Sequence, residues 1–442
     1  MGPQVDQVAS NLEWPKEADV VIVGGGIIGA TSAFFLAERG LKVVLCEKGH
    51  IAGEQSSRNW GWCRQAQRDP REFGLIREAL ALWRSLDARI GAATGFTTTG
   101  IMFSAATEEK EAAYAEWTRE AAQAGIQAEI VSGKPLAELI PGDLRPPRAA
   151  LWCASDGRAE PQKAAPAIAT AAQRLGAVVF NDCAVRGLET SGGRVVAAVT
   201  ERGRIRTPAV VVASGAWSRR FLKDLGIILP QLKVRASVLR TAPVAGGPEA
   251  ALWDPEFAFR KRRDGGYTIA NGHVNVVPIV PDSFRFFSHF LPALRAEYPS
   301  LRLRLDRRFL AEWQEAAVRA LDVPSVYEAD RVLDPKADQH YLDGALAALK
   351  RRFPVFENAR VAQSWAGFID VTPDAVPVIS TVEALTGLVV ATGFSGHGFG
   401  IGPGAGHLVA DLVSGARPIV DPTDFRLSRF ADGSPIRYIA GL

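Results

Sequence analysis

Apolar residues near the start of the chain follow the pattern of a β–α–β unit. Residues 20–23 are all apolar and β-branched, which predicts a buried parallel strand. Residues 30–39 are typical of a helix, and residues 41–46 form the next apolar run. The turn between the first strand and the helix, residues 24–29, holds four glycines. This alternation of strand, helix and strand predicts a parallel sheet of the α/β class.

A second helix is predicted to begin at residue 69. Asp69 is a suitable N-cap, Pro70 suits the first turn, and Glu72 stands three residues after the cap. Apolar residues then recur at helical spacing from Phe73 to Leu86. Further strands are expected at residues 177–180, 195–199, 209–213, 267–270 and 388–391, and further helices at residues 161–175, at residues 342–352 and, after a glycine-rich loop, up to about residue 413.

The length and composition are those of a two-domain globular enzyme. A chain of 442 residues exceeds the usual size of one core, and its 47% hydrophobic and 22% charged residues are ordinary for a soluble protein. We expect residues 1–17 to form a loose N-terminal extension. Two domains are predicted beyond it, the first built from residues 18–86, 146–225 and 356–442, and the second, inserted into the first, from the less regular residues 87–145 and 226–355.

Charge and cysteine usage exclude several classes of function. A net charge of +3 without any basic tract gives no reason to expect a nucleic-acid partner. The four cysteines are widely spread and no histidine has ligand spacing, so we expect a reducing compartment and no metal site. We see no signal-peptide pattern and no membrane-spanning apolar run, which favours a cytoplasmic protein. Residues 274–294 are apolar in places and leave peripheral contact with the inner face of a membrane as an alternative to ordinary packing.

The glycine turn has the spacing of a dinucleotide-binding site. Gly24 allows the tight turn, Gly26 lets a pyrophosphate approach the backbone, and Gly29 lets the helix pack against the strand. The helix N-terminus offers free N–H groups and a favourable dipole to the diphosphate. Glu47 follows Gly26 by 21 residues, at the end of the second strand. A carboxylate there can accept hydrogen bonds from the ribose hydroxyls of an adenosine.

Three further segments favour FAD over NAD as the dinucleotide. The polar residues 53–61 follow the second strand closely and are placed to follow the diphosphate toward a flavin. Residues 183–188 can pass the adenine, where Val185 would use its backbone groups. Residues 393–403 lead into a helix whose N-terminus, directed at the flavin ring, would stabilise the negative charge of the reduced form.

Taken together, these segments resemble the D-amino-acid oxidase superfamily of flavoproteins. The resemblance implies a Rossmann-type FAD-binding domain with an inserted α+β substrate domain built on an antiparallel sheet. It also implies oxidation of an amino acid or a secondary amine to an imine, which hydrolyses to a 2-oxo acid or an aldehyde. The matching segments, in family order along nearly the whole chain, are the glycine turn with Glu47, residues 56–61, Asp156-Gly157 with Pro161, residues 214–217, residues 365–367 with 372–374, and residues 393–406.

The motifs and the resemblance together give two sets of candidate site residues. The candidates for binding FAD are Gly24, Gly26, Ile28, Gly29, Glu47, Lys48, Ser56, Ser57, Arg58, Asn59, Gly61, Val185, Gly215, Trp217, Gly367, Gly396, His397, Gly398, Phe399 and Gly400. The candidates for the substrate side are His397, Tyr267, Trp365, Asp370 and Arg64.

Each substrate-side candidate has an ordinary structural alternative. The side chain of His397 can hydrogen-bond the flavin or the substrate amine; the alternative is that only its backbone contributes to the site. Tyr267 can bind a substrate carboxylate, or it is an ordinary strand tyrosine. The tryptophans Trp60, Trp62 and Trp365 can form the wall of the pocket, or they pack in the core.

The sequence departs from the family pattern at the substrate carboxylate. Many relatives have an arginine two residues after the glycine of the Trp-x-Gly motif, and here that position holds Ile369, followed by Asp370. Arg64, Arg235 or Arg260 can replace that arginine, or the substrate binds differently. An Asp370 carboxylate near the flavin would suit a cationic amine or guanidinium side chain, unless it faces away or caps a turn.

Two further departures concern the flavin. Relatives of the sarcosine oxidase type attach FAD through a cysteine in the later part of the chain, and none follows Cys183 here, so we expect non-covalent FAD. Those relatives activate oxygen with a lysine on a substrate-domain strand, and the comparable residues 266–269 contain none. The departure favours a dehydrogenase over an oxidase, with O₂ or a quinone as the electron acceptor.

The sequence therefore predicts an FAD-dependent enzyme that oxidises an amino acid to an imino acid, which hydrolyses to a 2-oxo acid and ammonia. A cationic amino acid such as arginine or lysine is the narrower prediction for the substrate. Oxidative demethylation of an N-methyl or other secondary amine is the alternative reaction. An FAD-binding subunit of a larger dehydrogenase complex is the alternative of another class. A homo-oligomer is compatible with each of these predictions.

Overall fold

The computed structural model describes residues 2–314 and 320–439. Its strands are β1 (Val20–Val23), β2 (Val43–Cys46), β3 (Trp62–Cys63), β4 (Thr97–Thr98), β5 (Ile101–Ala105), β6 (Glu129–Ser132), β7 (Ala149–Cys153), β8 (Gly157–Arg158), β9 (Val178–Phe180), β10 (Val185–Ser191), β11 (Arg194–Thr200), β12 (Gly203–Arg206), β13 (Val210–Val212), β14 (Leu232–Thr241), β15 (Ala251–Trp253), β16 (Ala258–Lys261), β17 (Tyr267–Ala270), β18 (Asn275–Pro278), β19 (Leu301–Arg304), β20 (Val361–Val371), β21 (Val378–Thr381) and β22 (Leu388–Thr392).

The α-helices connect these strands or cover their faces. They are α1 (Ile27–Glu38), α2 (Gln55–Arg58), α3 (Phe73–Ile90), α4 (Glu108–Gln123), α5 (Gly133–Leu139), α6 (Pro161–Arg174), α7 (Ser218–Asp224), α8 (Pro281–Arg285), α9 (Phe287–Glu297), α10 (Arg307–Gln314), α11 (Val326–Ala329), α12 (Gln339–Arg352) and α13 (Gly398–Ser414). Short 3₁₀ turns cover Pro70–Glu72, Gly215–Trp217, Pro354–Phe356, Thr423–Phe425 and Leu427–Phe430. Among the described residues, no helix is both long and apolar enough to cross a membrane.

A six-stranded sheet forms the centre of the first half of the molecule. Its strand order is β21-β22-β13-β1-β2-β9, and all neighbours are parallel except β21 and β22. In β1 the side chains alternate between two cores. Val20 and Ile22 pack against α1, α3, α6 and α13, whereas Val21 and Val23 face the smaller sheet β10-β11-β12 and α7. Burial on both faces explains why the strand sequence is continuously apolar.

A larger, mostly antiparallel sheet forms the second half. Its order is β19-β18-β14-β17-β16-β15-β5-β7-β6, with β20 paired to β14 along nearly its whole length. Helix α12 packs on this sheet around an aromatic core that includes Phe259, Tyr267 and Phe356. The predicted fold class, a Rossmann-type α/β domain with a second domain on an antiparallel sheet, is therefore confirmed.

The large sheet also takes strands from segments that the sequence assigned to the first domain. Strand β7 (Ala149–Cys153) pairs with β5, and β20 (Val361–Val371) pairs with β14. Apolar runs identify a strand but not its partner, so the boundaries at residues 146 and 356 do not coincide with the sheets. Three short parts of the predicted segments lie outside the described residues. They are residue 1 of the predicted N-terminal extension, residues 315–319 of the predicted second domain and residues 440–442 of the predicted first domain.

The N-terminal segment is not the loose extension that we predicted. Val5 and Val8 are buried against the first domain. The backbone N–H of Asp6 donates to the carbonyl of Gln162 at 3.0 Å, and that of Asn11 donates to the carbonyl of Val179 at 2.9 Å. These contacts attach the segment to α6 and β9, a role that its mixed composition did not indicate.

The predicted helix at residue 69 begins one turn later than expected. Asp69 accepts a hydrogen bond from the Arg71 N–H at 2.9 Å, as an N-cap would, but the next residues form a 3₁₀ turn before α3. The Glu72 carboxylate does not complete the expected cap and is instead fully buried. That side chain becomes part of the candidate active site.

Candidate active site

A cavity of about 780 Å³ lies between the six-stranded sheet and the large sheet. It begins at the carboxyl ends of β1, β2 and β13, where ligands bind in open parallel sheets. It continues past the glycine-rich loop before α13 to strands β14, β18 and β20 of the large sheet. The volume lies in the upper part of the range usual for ligand pockets, about 300–1,000 Å³.

The glycine turn of residues 24–29 is shaped for close approach to a ligand. Gly24 has φ +106°, a conformation that side chains disfavour, and a Cβ there would lie 2.6 Å from the Ala213 carbonyl oxygen. A Cβ on Gly29 would overlap the carbonyl oxygen of Gly24, so close packing of α1 on the turn requires glycine. Gly26 is the N-cap of α1 and supplies no capping side chain. The positive end of this helix dipole therefore faces the cavity, with no capping side chain from the N-cap residue itself.

The Glu47 carboxylate closes the other side of this turn. Its Oε2 accepts a hydrogen bond from the Gly25 N–H at 2.7 Å, and its Oε1 accepts one from the Gly49 N–H at 2.8 Å. Burial raises the pKa of Glu47, although Lys48 and these two N–H groups oppose the shift. Lys48 donates to Glu54 Oε1 at 2.8 Å and lies 4.6 Å from the ring centroid of Trp217. The side chains of Glu47 and Lys48 are thus held in place by contacts within the protein.

Helix α2 supplies polar groups that join the two domains. Ser56 Oγ accepts a hydrogen bond from the Ile27 N–H at 2.8 Å, at the start of α1. Arg58 donates to the carbonyl oxygen of Ala366 at 2.8 Å and forms an ion pair with Asp334 at 2.7 Å. Asn59 accepts a hydrogen bond from Gly61 at 2.7 Å, which fixes the turn into β3.

The glycine-rich loop ends at α13, the second helix whose N-terminus faces the cavity. Gly393 and Gly396 have φ of +71° and +88°, and Ser395 adopts φ +49° between them. His397 is the N-cap of α13, and its side chain makes no capping bond. The loop thus presents backbone N–H groups of a helix start to the middle of the cavity, as expected from the sequence.

The structure separates the predicted FAD-binding residues into two groups. Those that line the cavity are Gly24, Gly26, Ile28, Glu47, Lys48, Ser56, Arg58, Asn59, Val185, Gly215, Trp217, Gly367, Gly396, His397, Gly398 and Phe399. Four lie behind it. Gly29 and Gly400 allow close packing of α1 and α13, Ser57 hydrogen-bonds the Glu54 carbonyl, and Gly61 has φ +77° against the Ala159 carbonyl. These four shape the cavity wall without facing the ligand space.

Tyr267, Trp365 and Asp370 do not have the substrate roles that we predicted. Tyr267 is fully buried in the core of the large sheet, where its hydroxyl donates to the Pro248 carbonyl at 2.9 Å. Trp365 is also buried, and its Nε1 donates to the Arg58 carbonyl at 3.0 Å. Strand periodicity predicts alternation but not which face meets the cavity. Tyr267 points to the face that α12 covers, whereas Trp365 packs with Val238 and Trp60, behind the cavity wall.

Asp370 borders the cavity, but its carboxylate is used internally. Oδ2 accepts hydrogen bonds from the Gly393 N–H at 2.7 Å, Thr392 Oγ1 at 3.0 Å and Gln231 Nε2 at 3.1 Å. Burial raises the pKa of Asp370 while these hydrogen bonds oppose the shift. The side chain therefore anchors the glycine-rich loop to β20, which favours the alternative that Asp370 serves the local structure rather than a cationic substrate.

Of the three arginines proposed to replace the missing carboxylate clamp, two line the cavity. Arg64 is 8% exposed and its Nη2 lies 3.4 Å from His397 Nε2. Arg235 also lines the cavity and is 3.5 Å from Asp338. Arg260 is buried behind the cavity, where it pairs with Glu160 at 2.8 Å and donates to the Trp60 carbonyl.

Aromatic rings form the wall beside Arg64. Trp60 and Trp62 are 5.0 Å apart, Trp62 and Phe103 are 6.0 Å apart, and Phe103 and Trp253 are 5.9 Å apart between ring centroids. All four line the cavity, and the Arg64 guanidinium lies 5.1 Å from the Phe103 centroid. The wall is apolar and has the Arg64 cation beside it, a combination suited to an apolar carboxylate.

Residues 19–412 match the family model DAO, FAD dependent oxidoreductase. The chain belongs to this family of FAD-dependent oxidoreductases. The two helix starts that face the cavity, the tight glycine turn and the long cavity fit FAD, as the sequence predicted. The residues that would hold the cofactor are those described above around Gly26, Glu47 and the loop before α13.

Solved structures of this family support the assignment over the whole chain. L-amino acid deaminase from Proteus myxofaciens, in complex with anthranilate, has a TM-score of 0.93 and 34% identity, covering 97% of this chain and 96% of that one. L-amino acid deaminase from Proteus vulgaris has a TM-score of 0.91 and 33% identity, covering 97% and 100%.

Curated members of the family are more distant in sequence. Glycine oxidase of Pseudomonas aeruginosa is 27% identical over 417 residues, 92% of this chain and 97% of that enzyme. Mitochondrial sarcosine dehydrogenase of Mus musculus is 24% identical over 434 residues, 94% of this chain. The chain covers only 42% of that dehydrogenase, less than half its length.

Several residues in the cavity wall or buried behind it escaped the sequence analysis. Phe103 and Trp253 lie in segments that showed little periodicity, so nothing marked them as wall residues. Arg68 and Glu72 stand near Asp69, where the helix-start pattern offered a simpler explanation for Glu72. Their burial together beside His397 depends on the 3₁₀ turn before α3, which periodicity does not predict.

Proposed function

We propose that this FAD-dependent oxidoreductase oxidises the α-carbon–nitrogen bond of an amino acid, giving an imino acid that hydrolyses to a 2-oxo acid and ammonia. FAD, when bound, accepts the hydride that leaves the α-carbon. The observation that carries the proposal is the buried Arg64 guanidinium in the cavity wall, next to the loop that precedes α13. It places a fixed cation where a substrate carboxylate needs a partner.

Arg64 is better suited to this task than Arg235, the other candidate clamp that lines the cavity. Arg235 faces the Asp338 carboxylate at 3.5 Å, which offsets its charge. Arg64 is held from behind, because Nη1 donates to the carbonyl oxygens of Ala66 and, at 2.9 Å, of Gln67. Neutral carbonyl partners orient a guanidinium without cancelling its charge, so Arg64 can form a charge-assisted hydrogen bond with a carboxylate.

The aromatic wall supports an apolar substrate side chain. Trp60, Trp62 and Phe103 offer ring faces and edges, and the charged groups beside them are the arginines Arg64 and Arg68. A cationic side chain would be repelled by these charges, and Asp370 is not free to offset them. We therefore propose an amino acid with an uncharged, apolar side chain as the substrate.

The protein's contribution is to hold the amino acid with its α-carbon beside the flavin ring. Arg64 would fix the carboxylate and the aromatic wall would fix the side chain, which leaves one orientation for the α-carbon. An error of about 1 Å in such a position can lower the rate by roughly 100-fold. The similarity to the two Proteus proteins, which are L-amino acid deaminases, supports this class of substrate.

The test is an anaerobic screen of the FAD-loaded protein with L-amino acids, D-amino acids and N-methyl amines. The proposal expects flavin bleaching with apolar amino acids and stoichiometric release of ammonia and a 2-oxo acid. Bleaching confined to N-methyl amines, with release of an aldehyde, would instead establish oxidative demethylation. Bound flavin that no substrate bleaches until another protein is added would establish a subunit of a larger dehydrogenase.

A second experiment, with the best substrate from the screen, identifies the electron acceptor. Reoxidation of the reduced protein is followed in air and with a soluble quinone. We propose a dehydrogenase, because the strand of residues 267–270 provides no lysine and lies in the core rather than at the cavity. Faster reoxidation by O₂ than by the quinone would contradict that part of the proposal.

A further inference from the structure

Four charged or titratable side chains form a buried cluster behind the aromatic wall. The Glu72 cluster consists of Arg64, Arg68, Glu72 and His397, which are 0–9% exposed. His397 Nε2 lies 3.4 Å from Arg64 Nη2, and His397 Nδ1 lies 3.6 Å from Glu72 Oε2. The same Glu72 oxygen lies 3.7 Å from Arg68 Nη1. The cluster thus runs from the protein interior at Glu72 to the cavity at Arg64.

The inner part of the cluster has unusual hydrogen bonding. Both carboxylate oxygens of Glu72, the Nδ1 atom of His397 and the Nη1 atom of Arg68 lack a hydrogen-bond partner among the described residues. These atoms belong to three buried side chains and face one another. Unsatisfied buried polar groups are costly and rare in folded proteins, so such a set indicates a role beyond packing.

The geometry determines which nitrogen of His397 carries the proton. A guanidinium only donates, so the Nε2 atom that faces Arg64 is the acceptor of a neutral imidazole. Nδ1 then carries the hydrogen and faces the Glu72 carboxylate. Burial, together with the charges of Arg68 and Arg64, holds the pKa of His397 well below its ordinary value, which agrees with a neutral ring.

Arg64 is fixed on two sides by these contacts. The Ala66 and Gln67 carbonyls hold Nη1, and His397 Nε2 faces Nη2. Rotation of the imidazole would place a C–H against the guanidinium, and a change of its tautomer would place an N–H there, so either change would remove the acceptor of Arg64. The orientation of Arg64 therefore depends on the tautomer of His397, which Glu72 can set.

Other acidic side chains nearby have partners of their own. Asp69 pairs with Arg71 at 2.7 Å, and Asp374 pairs with Arg429 at 2.9 Å. Asp156 accepts hydrogen bonds from the backbone N–H groups of residues 65 and 66. Glu72 is the carboxylate that faces His397 within 4 Å.

We propose that Glu72 and His397 are positioning residues that orient Arg64 toward the carboxylate of the substrate. The inference rests on the role of Arg64 in the proposed function. Glu72 stabilises the Nδ1–H tautomer of His397, and the free Nε2 lone pair then holds the Arg64 guanidinium in the plane that faces the cavity. Neither residue needs to contact the substrate.

The test measures binding of benzoate, a simple carboxylate, to the FAD-loaded protein by the change in flavin absorbance. In Glu72→Gln the side chain keeps its shape, but its amide can donate to Nδ1 and favour the wrong tautomer. We expect benzoate to bind about tenfold more weakly, the usual effect of losing one hydrogen bond to a charged group. The neutral isostere benzamide should bind with unchanged affinity.

The opposite result distinguishes positioning from simple charge balance. If Glu72 acted only as a negative charge, its neutralisation would leave a more positive site and benzoate would bind more tightly. Unchanged or tighter binding to Glu72→Gln would overturn the proposal. With an amino-acid substrate, the proposal expects KM to rise more than the limiting rate of flavin reduction falls.

Two substitutions of His397 provide an independent measurement. The side-chain oxygen of His397→Gln can reach the position of Nε2 and accept from Arg64, whereas His397→Leu offers no acceptor. We expect His397→Leu to weaken benzoate binding about tenfold and His397→Gln to restore most of the affinity. Equal loss in both variants would contradict a positioning role.

Controls separate this inference from the proposed function. Asp143→Asn removes a buried carboxylate that pairs with Arg352 away from the cavity, so it should lower stability without changing benzoate affinity. Arg64→Met should abolish most of the benzoate affinity. If it does not, the proposed function fails in its account of the carboxylate. If it does, while Glu72→Gln and His397→Leu bind normally, only the present inference fails.

Discussion

At the scale of single residues, orientation decides function more than identity does. The sequence placed Asp370 beside the flavin-binding loop correctly, but the motif gave no information on where its carboxylate points. Three donors, from Gly393, Thr392 and Gln231, occupy that carboxylate. Arg64 was one of three candidate cations, and only the structure shows which of them have partners.

Substitution of Asp370 should affect stability rather than substrate choice. Asp370→Ala leaves the buried Gly393 N–H without its acceptor, while Gln231 and Thr392 keep hydrogen bonds to the Gly215 carbonyl, and we expect a loss of about 1–3 kcal/mol in the free energy of unfolding. Asp370→Asn keeps one acceptor and should lose less. Urea denaturation of the FAD-loaded protein measures both values. In the Asp370→Asn variant, the ratio of kcat/KM between apolar and cationic amino acids should match that of the wild type. A selective loss of activity with cationic substrates would instead show that the Asp370 carboxylate binds the substrate.

At the scale of elements, the sequence identified seven of the 22 strands and five of the 13 α-helices of the described residues, but not the contacts between them. The strand at residues 267–270 and the helix after residue 397 agree with the structure within one or two residues. The turn at residues 70–72 was missed because a 3₁₀ turn and a first helical turn share the same capping residues. That single error concealed the buried position of Glu72.

Close packing of α13 on α1 should make one helical glycine intolerant of substitution. A Cβ on Gly406 would overlap the Thr31 side chain, so Gly406→Ala should destabilise the fold by about 1–3 kcal/mol. Gly344 in α12 has open space around its Cβ position, and Gly344→Ala should stabilise by about 0.5–1 kcal/mol. Urea midpoints of the two variants, compared with the wild type, should shift in opposite directions.

The short helix α11 should contribute stability that depends on pH. Glu328 caps it by accepting from the Ser325 N–H at 2.9 Å and also pairs with Arg186 at 2.8 Å. The hydrogen bond from Arg186 is the main cause that lowers the pKa of Glu328 to about 2, from 4.5. A depressed carboxyl pKa stabilises the fold above the unfolded value and loses that effect as pH falls.

The measurement is the difference in unfolding free energy between wild type and Glu328→Gln across acidic pH. We expect about 1 kcal/mol at neutral pH, the usual value of a helix cap. The difference should shrink below about pH 4.5 and vanish toward pH 2. A difference that stayed constant through this range would show that the capping geometry, not the charge, provides the stability.

At the scale of the whole molecule, the class of fold followed from the order of apolar runs and glycine motifs. The arrangement of the large sheet did not follow, because its strands come from distant parts of the chain and pairing depends on the final packing. Strand β20 illustrates this, since it continues a segment assigned to the first domain and pairs with β14 of the second. The N-terminal segment likewise gained its contacts only from the assembled surface of α6 and β9.

Loading with FAD should stabilise the whole molecule through the glycine turn. A ligand at about 100 times its Kd adds about 2.7 kcal/mol to the free energy of unfolding. Gly26→Ala introduces a Cβ that meets only Ser56 Oγ, at 3.0 Å, so the apoprotein should unfold at nearly the wild-type urea concentration. The added methyl group occupies the approach to the helix start, and the variant should gain much less from FAD. An equal gain in both proteins would place the diphosphate elsewhere.

The ladder between β14 and β20 limits how a substrate can enter. It runs from Leu232 opposite Val371 to Thr241 opposite Val361, along the wall of the cavity. The ladder keeps this wall of the cavity in one piece, and the Asp370 anchor attaches it to the glycine-rich loop, so a hinge that opened the two halves would have to break that anchor. Substrate entry through rearrangement of loops and side chains at the rim would leave both the ladder and the anchor intact.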